Sequence, residues 1–487
     1  WQRIIEDGDL ELSISLLSVV LCFFIFLERG TSVEKKKTTT RDMTQGNIVK
    51  QVLLFALPLM LGNVFQMLYN TVDSVVVGQF VSTQALGSTT MIVNMLVFFF
   101  NGFSIGASVV IGIHFGAKNM EKLHKAVETT IAATFVMCVA FTVIGYVGVV
   151  PMLRLMSTPE DVFPEATEYL HIYFAGFSGL LIYNMGSAVL RSVGDTTRPL
   201  YFLVLTSVLN IILDLVFVLV FHMGIAGVAY ATILSQFISA GLILWLLTAS
   251  KDIYRLTWND LAIDGAIMKH IFSVGLPAGI QSVITAFSNV FVQSYINSFG
   301  SSCMAGWSCY NKLDQFIMLP MQSMAMASTT FVSQNIGAQK IKRAEKGTYI
   351  TIGLTLLITG VIIALLEIFA APSVELFSQD PDVVRFGVLF IRANVWFLLF
   401  NCVNHVLAGA LRGMGDSKGP MLIMILTFVA VRQTYLFIMT RYIINTPLSV
   451  GVGYPVGWVS CCIVEMVYFL LRRKRLLYGK AETLETV

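Results

Sequence analysis

Apolar runs of 18 or more residues recur from about residue 50 to about residue 470, separated by short polar or charged segments. About 18–20 apolar residues in a helix cross ~30 Å of hydrocarbon. The pattern predicts twelve spans, near 52–80, 86–113, 127–150, 165–190, 199–221, 224–249, 270–298, 304–334, 348–370, 383–411, 420–440 and 448–471. Of the 487 residues, 56% are hydrophobic and 13% charged, with a mean hydropathy of +0.76. That charge content is about half the usual share of a soluble domain. The expected fold is an all-α integral membrane protein.

The polar breaks themselves repeat. Leu190-Arg191-Ser192-Val193-Gly194-Asp195 returns 221 positions later as Leu411-Arg412-Gly413-Met414-Gly415-Asp416. The same offset carries Gly116-Ala117-Lys118 onto Gly337-Ala338-Gln339 and Pro151 onto Pro372, and Pro58 pairs with Pro277 at 219. Each unit holds six helices, an even number. The two units therefore enter the membrane in the same direction, as parallel repeats about an axis along the membrane normal. The expected organisation is an N-terminal six-helix lobe over 48–250, a polar linker over 251–269, a C-terminal lobe over 270–471 and a basic tail over 472–487. Residues 1–47 precede the repeat. Their apolar stretch Leu12 to Leu27 is either an extra span or an extension the repeat does not need, and Glu6, Asp7 and Asp9 before it argue against a signal peptide.

The formal net charge is only +3, so placement says more than the total. With the leader inside, the inner segments carry 24 Lys and Arg between Lys35 and Lys480, and the outer loops carry Arg154, Arg385 and Arg441. This bias places both ends of the repeat in the cytoplasm of a plasma-membrane protein.

Ionisable groups deep in a span are expensive and are functional candidates by default. Asp73 lies on helix 1, and Asn210 and Asp214, four apart and so on one face, lie on helix 5. Counting helical rise from the outer ends puts both acids ~9–11 Å deep and the Thr232 hydroxyl on helix 6 at ~12 Å. Oxygen-only donors suit a hard cation such as Na+, and two facing carboxylates equally suit a proton, so either ion fits. At the equivalent positions the second half has Val292, Val431 and Tyr435, which confines this chemistry to the first lobe. The second half has its own polar set. Lys312 and Asp314 are expected to satisfy each other or a wet cavity, Arg392 and Glu465 to snorkel from helix ends, His405 to be a core histidine, and Arg432 to supply fixed positive charge beside the Asn210 equivalent. Pro58 frees a carbonyl inside helix 1 and invites a kink. The Arg-x-x-Gly-Asp loops read as turns and caps, with Gly194 and Gly415 at the turn and Asp195 and Asp416 capping the next helix.

Two six-helix repeats, Pro58 with Gln66-x-x-Tyr69-x-x-x-Asp73, Asn210-x-x-x-Asp214, Thr232 and the duplicated Arg-x-x-Gly-Asp loop together resemble the multidrug and toxic compound extrusion (MATE) family, closest to its DinF-like branch, over about Thr44 to Arg475. The resemblance implies a V-shaped, alternating-access antiporter that expels organic cations against Na+ or H+. It places Asp73, Asn210, Asp214 and Thr232 on the family's N-lobe cation site, and Gln66, Tyr69 and Asn184 on the cavity wall. The NorM-like branch has an acid on helix 7 where this chain has Thr285, which argues against coupling through the second lobe.

The implied partners are small organic cations and the bilayer, with no nucleic acid and no cofactor beyond the coupling ion, for a monomeric carrier. The seven cysteines show no metal-ligand spacing. A membrane-embedded acyl- or glycosyltransferase would need a nucleophile–base pair or a metal cluster near one interface, and the loops hold neither. A lipid-linked-saccharide flippase would be expected to line its cavity with charge. Here the central helices are rich in Phe and Met, as in Phe98-Phe99-Phe100 and Met318 to Met326, which suits adaptable apolar contacts.

Overall fold

The helices begin and end within a few residues of the apolar runs, overshooting where their first or last turns leave the hydrocarbon. The computed structural model describes residues 40–80, 83–156, 158–160 and 162–483, and side chains within these except at 69–70, 72–92, 94–95, 98 and 474–483. The apolar stretch of residues 12–27 lies outside the described residues. We number the helices α1 (Ile48–Phe80), α2 (Thr83–Gly116), α3 (Met120–Leu155), α4 (Phe163–Ser192), α5 (Thr197–Val220) and α6 (Gly224–Ala249). The second set is α7 (Gly265–Asn297), α8 (Ser301–Gly337), α9 (Ile341–Ile368), α10 (Pro381–Gly413), α11 (Lys418–Ile443) and α12 (Pro447–Arg473, with its helix continuing to Thr483). No strand occurs among the described residues.

Eleven of these helices are apolar enough to cross a membrane on length and composition. The exception is α8, 37 residues long. Its half toward Gly337 is rich in Ser, Thr, Gln and Asn, and Ser328, Thr329, Thr330, Ser333, Gln334 and Asn335 are all buried. Those side chains face protein, where hydrogen bonds offset their polarity. Thr329 Oγ1 donates to Gly409 O at 2.9 Å, and Gln334 Nε2 to Ser192 O at 2.8 Å.

The two largest hydrophobic clusters among the described residues are one from α2–α6 and the linker (Phe100 through Leu256, with Ile271 of α7) and one from α7–α12 (Val292 through Cys461). The basic end of each lobe's first helix packs on the opposite lobe. On α1, Ile48, Val52 and Phe55 meet Met324 and Phe331 of α8, while Val274 of α7 meets Val109 and Ile113 of α2.

The lobe interface is built from glycine. Gly102 and Gly106 of α2 face Gly275 and Gly279 of α7, two GxxxG segments in register, the arrangement that lets helices in lipid approach backbone to backbone. A Cβ at Gly102 would lie 2.2 Å from Gly279 N. A second contact crosses α2 with α8, where a Cβ at Gly116 would lie 1.9 Å from Gln334 O and one at Gly337 1.9 Å from Ile113 O.

Hydrogen bonds secure the same end. Gln334 Oε1 accepts from Met43 N–H at 2.9 Å, Lys340 Nζ donates to Thr44 O at 2.9 Å and Arg343 Nη2 to Gln45 O at 2.9 Å, clamping the lead-in to α1 onto the second lobe. The linker is held reciprocally on α3. Thr257 Oγ1 donates to Glu128 Oε1 at 2.8 Å, and Asp264 N–H to Thr129 Oγ1 at 3.1 Å. Asp264 then caps α7 by accepting from Ala266 and Ile267 N–H, which holds its carboxyl below the usual range.

The repeated turns have matching geometry. Gly194 and Gly415 have φ of 85° and 82°, and Lys118 and Gln339 have φ of 55° and 57°. Asp195 Oδ1 accepts from the N–H groups of Thr197 and Arg198, and Asp416 Oδ1 from that of Gly419, the expected capping. The α1 helix runs unbroken through Pro58.

Gly337→Ala should push a methyl into a backbone carbonyl that cannot move aside and cost at least ~1–3 kcal/mol. Gly241→Ala meets nothing within 4 Å and should be neutral or slightly stabilising. Thermal denaturation of the two purified variants checks this, with a midpoint fall of several degrees expected for Gly337→Ala alone.

Candidate functional site

The first-lobe candidates are set by two helix contacts. Helices α1 and α5 run in the same direction and touch where a Cβ at Gly62 would lie 3.4 Å from Leu203 Cδ2. Asp73 lies eleven residues beyond Gly62, and Asp214 eleven beyond Leu203, so equal rise puts their backbones at one level. Helix α6 runs back antiparallel, with Gly227 against Phe217 Cβ. Five residues on is Thr232, opposite the stretch between Asp214 and Asn210, which lie three and seven residues before Phe217. A shared level is thus built into the backbone register. The side chains of Asp73 and Tyr69 lie outside the described residues, so their direction is not part of this geometry.

Asn210, Asp214 and Thr232 are 3%, 0% and 8% exposed. Neither atom of the Asn210 amide has a hydrogen-bond partner, and Thr232 Oγ1 has none. One turn along α6, Gln236 Oε1 is also unpaired. Buried polar groups are ordinarily paired, and each orphan costs ~1–3 kcal/mol. Unfilled oxygens beside a buried carboxylate fit a small hard cation, for which Asn210 Oδ1, Thr232 Oγ1 and the Asp214 carboxylate would be donors. Two residues past Asp214 the helix widens into a π turn, Val216–Val220, a feature frequent at functional sites.

The remaining candidates are more scattered. Gln66 is exposed on α1. Asn184 is part-buried on α4, and its Nδ2 donates to Leu180 O of its own helix at 2.9 Å. Asn63, one turn before Gln66, donates from Nδ2 to Ser323 Oγ of α8 at 3.2 Å and so ties the lobes together, a role its sequence context does not signal.

The second lobe corrects two expectations. Lys312 and Asp314 form no ion pair. Lys312 Nζ stands 5.2 Å from the Phe377 ring centroid, and Asp314 Oδ1 has no partner. Glu465 does not snorkel. Because α12 continues as helix to Thr483, Glu465 is interior, 1% exposed, with Cys461 Sγ 3.9 Å from its Oε2. Arg392 does reach out, pairing with Glu367 at 3.7 Å. Arg432 is fully interior, its Nη2 donating to Ser288 Oγ and, at 3.0 Å, to Asn289 Oδ1.

Comparison with known proteins now has this geometry to meet. The MatE family model matches twice, over residues 58–216 and 277–434, one match per lobe. This chain belongs to the MatE family. It is 31% identical over 429 residues to the probable multidrug resistance protein YpnP of Bacillus subtilis, covering 86% of this chain and 95% of that protein. It is 26% identical over 434 residues to the probable multidrug resistance protein NorM of Thermotoga maritima, covering 87% and 92%. Among solved structures, a MATE transporter in its bent conformation superposes with a TM-score of 0.86 at 22% identity, covering 92% of this chain and all of that one. MatE chains are membrane transporters, not enzymes, and the protein is accordingly a multi-pass membrane transporter.

Removing an unpaired buried hydroxyl should relieve an ion-free carrier. Thr232→Val is expected to match or exceed the parent's thermal midpoint without Na+ at neutral pH, and to blunt any shift in midpoint on adding Na+ or acidifying. A loss of several degrees in the ion-free state would instead mark the hydroxyl as a packing element.

Proposed function

We propose that this transporter is a cation-coupled antiporter that exports amphipathic organic cations, with Na+ or H+ bound at Asp73, Asn210, Asp214 and Thr232. The observation that carries the reading is the buried, unpartnered oxygen set of Asn210 and Thr232 around Asp214, at the level of Asp73 on a helix that also forms part of the lobe interface. The relatives' names describe multidrug resistance proteins, which supports efflux of varied amphipathic compounds. The excess of Lys and Arg at one end supports a cytoplasmic placement of that end. Gln66, Tyr69 and Asn184 are the proposed cavity contacts, and Pro58 the proposed flexure through which ion loading reaches the shape of α1. The carrier works only if ion and drug bind its two states with different affinities.

Proteoliposomes loaded with a fluorescent organic cation test this under an imposed Na+ gradient and then a pH gradient. Asp73→Asn and Asp214→Asn should each reduce gradient-driven transport at least about tenfold with reconstitution unchanged, the loss expected when ~1.4 kcal/mol or more of coupling disappears. Normal pumping by both variants would remove the acids from the mechanism.

A further inference from the structure

The second lobe holds a charge of opposite sign where the first lobe holds its acids. Arg432 is one position from the equivalent of Asn210, and it is the first residue after a π stretch, Ile425–Val431. It is 1% exposed, yet no carboxylate lies within ion-pair distance of it among the described residues. Nη2 is committed to Ser288 Oγ and Asn289 Oδ1. Ser288 Oγ is saturated, accepting also from Gln433 Nε2 at 3.0 Å and donating to Phe428 O at 2.6 Å. Nε has no partner. The Phe428 and Tyr454 rings flank the guanidinium, 5.2 and 5.1 Å from its Cζ, and Cδ passes Gly457 closely enough that a Cβ there would meet it at 3.4 Å. The cation is therefore fixed in place with part of its donor fork unspent. A buried, unpaired charge is costly, and a guanidinium cannot shed its proton to escape that cost.

Helical geometry relates this fork to the cleft between lobes. At about 100° per residue, Gly275, Gly279, Ser282, Asn289 and Gln293 of α7 fall within about 80° of arc. That face meets α2 through Gly275 and Gly279 at the basic end. Farther along, it presents the exposed Asn289 and the half-buried Gln293. Asn289, which holds the guanidinium, thus borders the surface the second lobe turns toward the first.

We infer that Arg432, held by Ser288 and Asn289 between Phe428 and Tyr454, is an anion subsite of the cleft that receives the carboxylate of an amphipathic substrate. The unpaired Nε–H and the fixed positive charge suit a charged oxygen acceptor, which a carboxylate supplies and an ester does not. On this assignment, which extends the proposed export function to its substrate class, preferred substrates are zwitterions rather than simple cations.

Rhodamine 110, with a free carboxylate, and rhodamine 123, its methyl ester, provide the test, as fluorescence-anisotropy ligands for the purified full chain in lipid nanodiscs. The parent should bind the acid more tightly than the ester. Arg432→Gln should weaken the acid at least about tenfold, as expected on losing a charge-assisted pair, and leave the ester within about twofold. Arg432→Lys keeps the charge but not the planar fork and should fall between them; should the Gln variant not fold, it carries the same comparison. A parent that does not prefer the acid, or a parallel loss for both dyes in the variants, overturns the assignment and leaves Arg432 as a packing element. Gradient-driven transport of the ester is read separately, so failure of the anion subsite and failure of the antiport reading are distinguishable.

Discussion

Backbone meets backbone where α2 crosses α8, and the rest of the molecule is arranged around that contact. Gly116 lies against Gln334 and Gly337 against Ile113, and both residue pairs are related by the 221-residue repeat, so one contact is made twice across a pseudo-two-fold axis. In lipid, apolar surface gains little by leaving its surroundings. Association rests on close packing and on hydrogen bonds, for which small residues and exposed carbonyls are the means. The facing GxxxG segments of α2 and α7 extend the contact, and the lead-ins to α1 and α7 fasten it from opposite sides through Gln334, Lys340 and Arg343 and through Thr129 and Glu128. Such an interface suits a transporter. It depends on shape, with few charged pairs to desolvate and remake.

The sequence legibly encodes whatever follows from one helix at a time. Span limits, the left-handed turns at Gly194 and Gly415 and the Asp195 and Asp416 caps come from local periodicity and local hydrogen bonding, and all appear in the structure. The α8 span was legible as a helix, but the meaning of its polar half was not, because that depends on which partner covers it. Lys312 and Asp314 are two apart and so point to different sides of a helix, which is why proximity in sequence misleads there. Glu465 misleads for another reason: the apolar run ends near residue 471 while the helix continues into Arg472 and Arg473, so the carboxylate is farther from the helix end than hydropathy indicates. The shared level of Asp73, Asp214 and Thr232 was within reach of helical rise alone. The unpaired state of Asn210 and Thr232 was not, since partners belong to tertiary structure. The GxxxG pair was written in the chain and needed only its spacing to be noticed.

The two lobes share a fold and differ in charge, and the difference bears on how a duplicated carrier is driven. An orphaned amide and hydroxyl cost ~1–3 kcal/mol each while empty, and a bound cation or a proton-mediated network removes that cost. On the proposed coupling, the first lobe changes its energy when it loads. Arg432 in the second lobe carries its charge at every physiological pH, with or without a coupling ion. Its contribution is constant, and only a ligand that enters the cleft can alter it. A carrier needs ligands that discriminate between its two states, and two lobes with identical titrating sites would load together and leave the drug-bound and ion-bound states harder to separate. If the proposed sites hold, a switchable charge on one side of the cleft and a permanent one on the other would let the ion and the substrate bias the same interface from different walls. The crossing of α2 and α8 then has one equilibrium to serve, and each ligand has its own point of purchase on it.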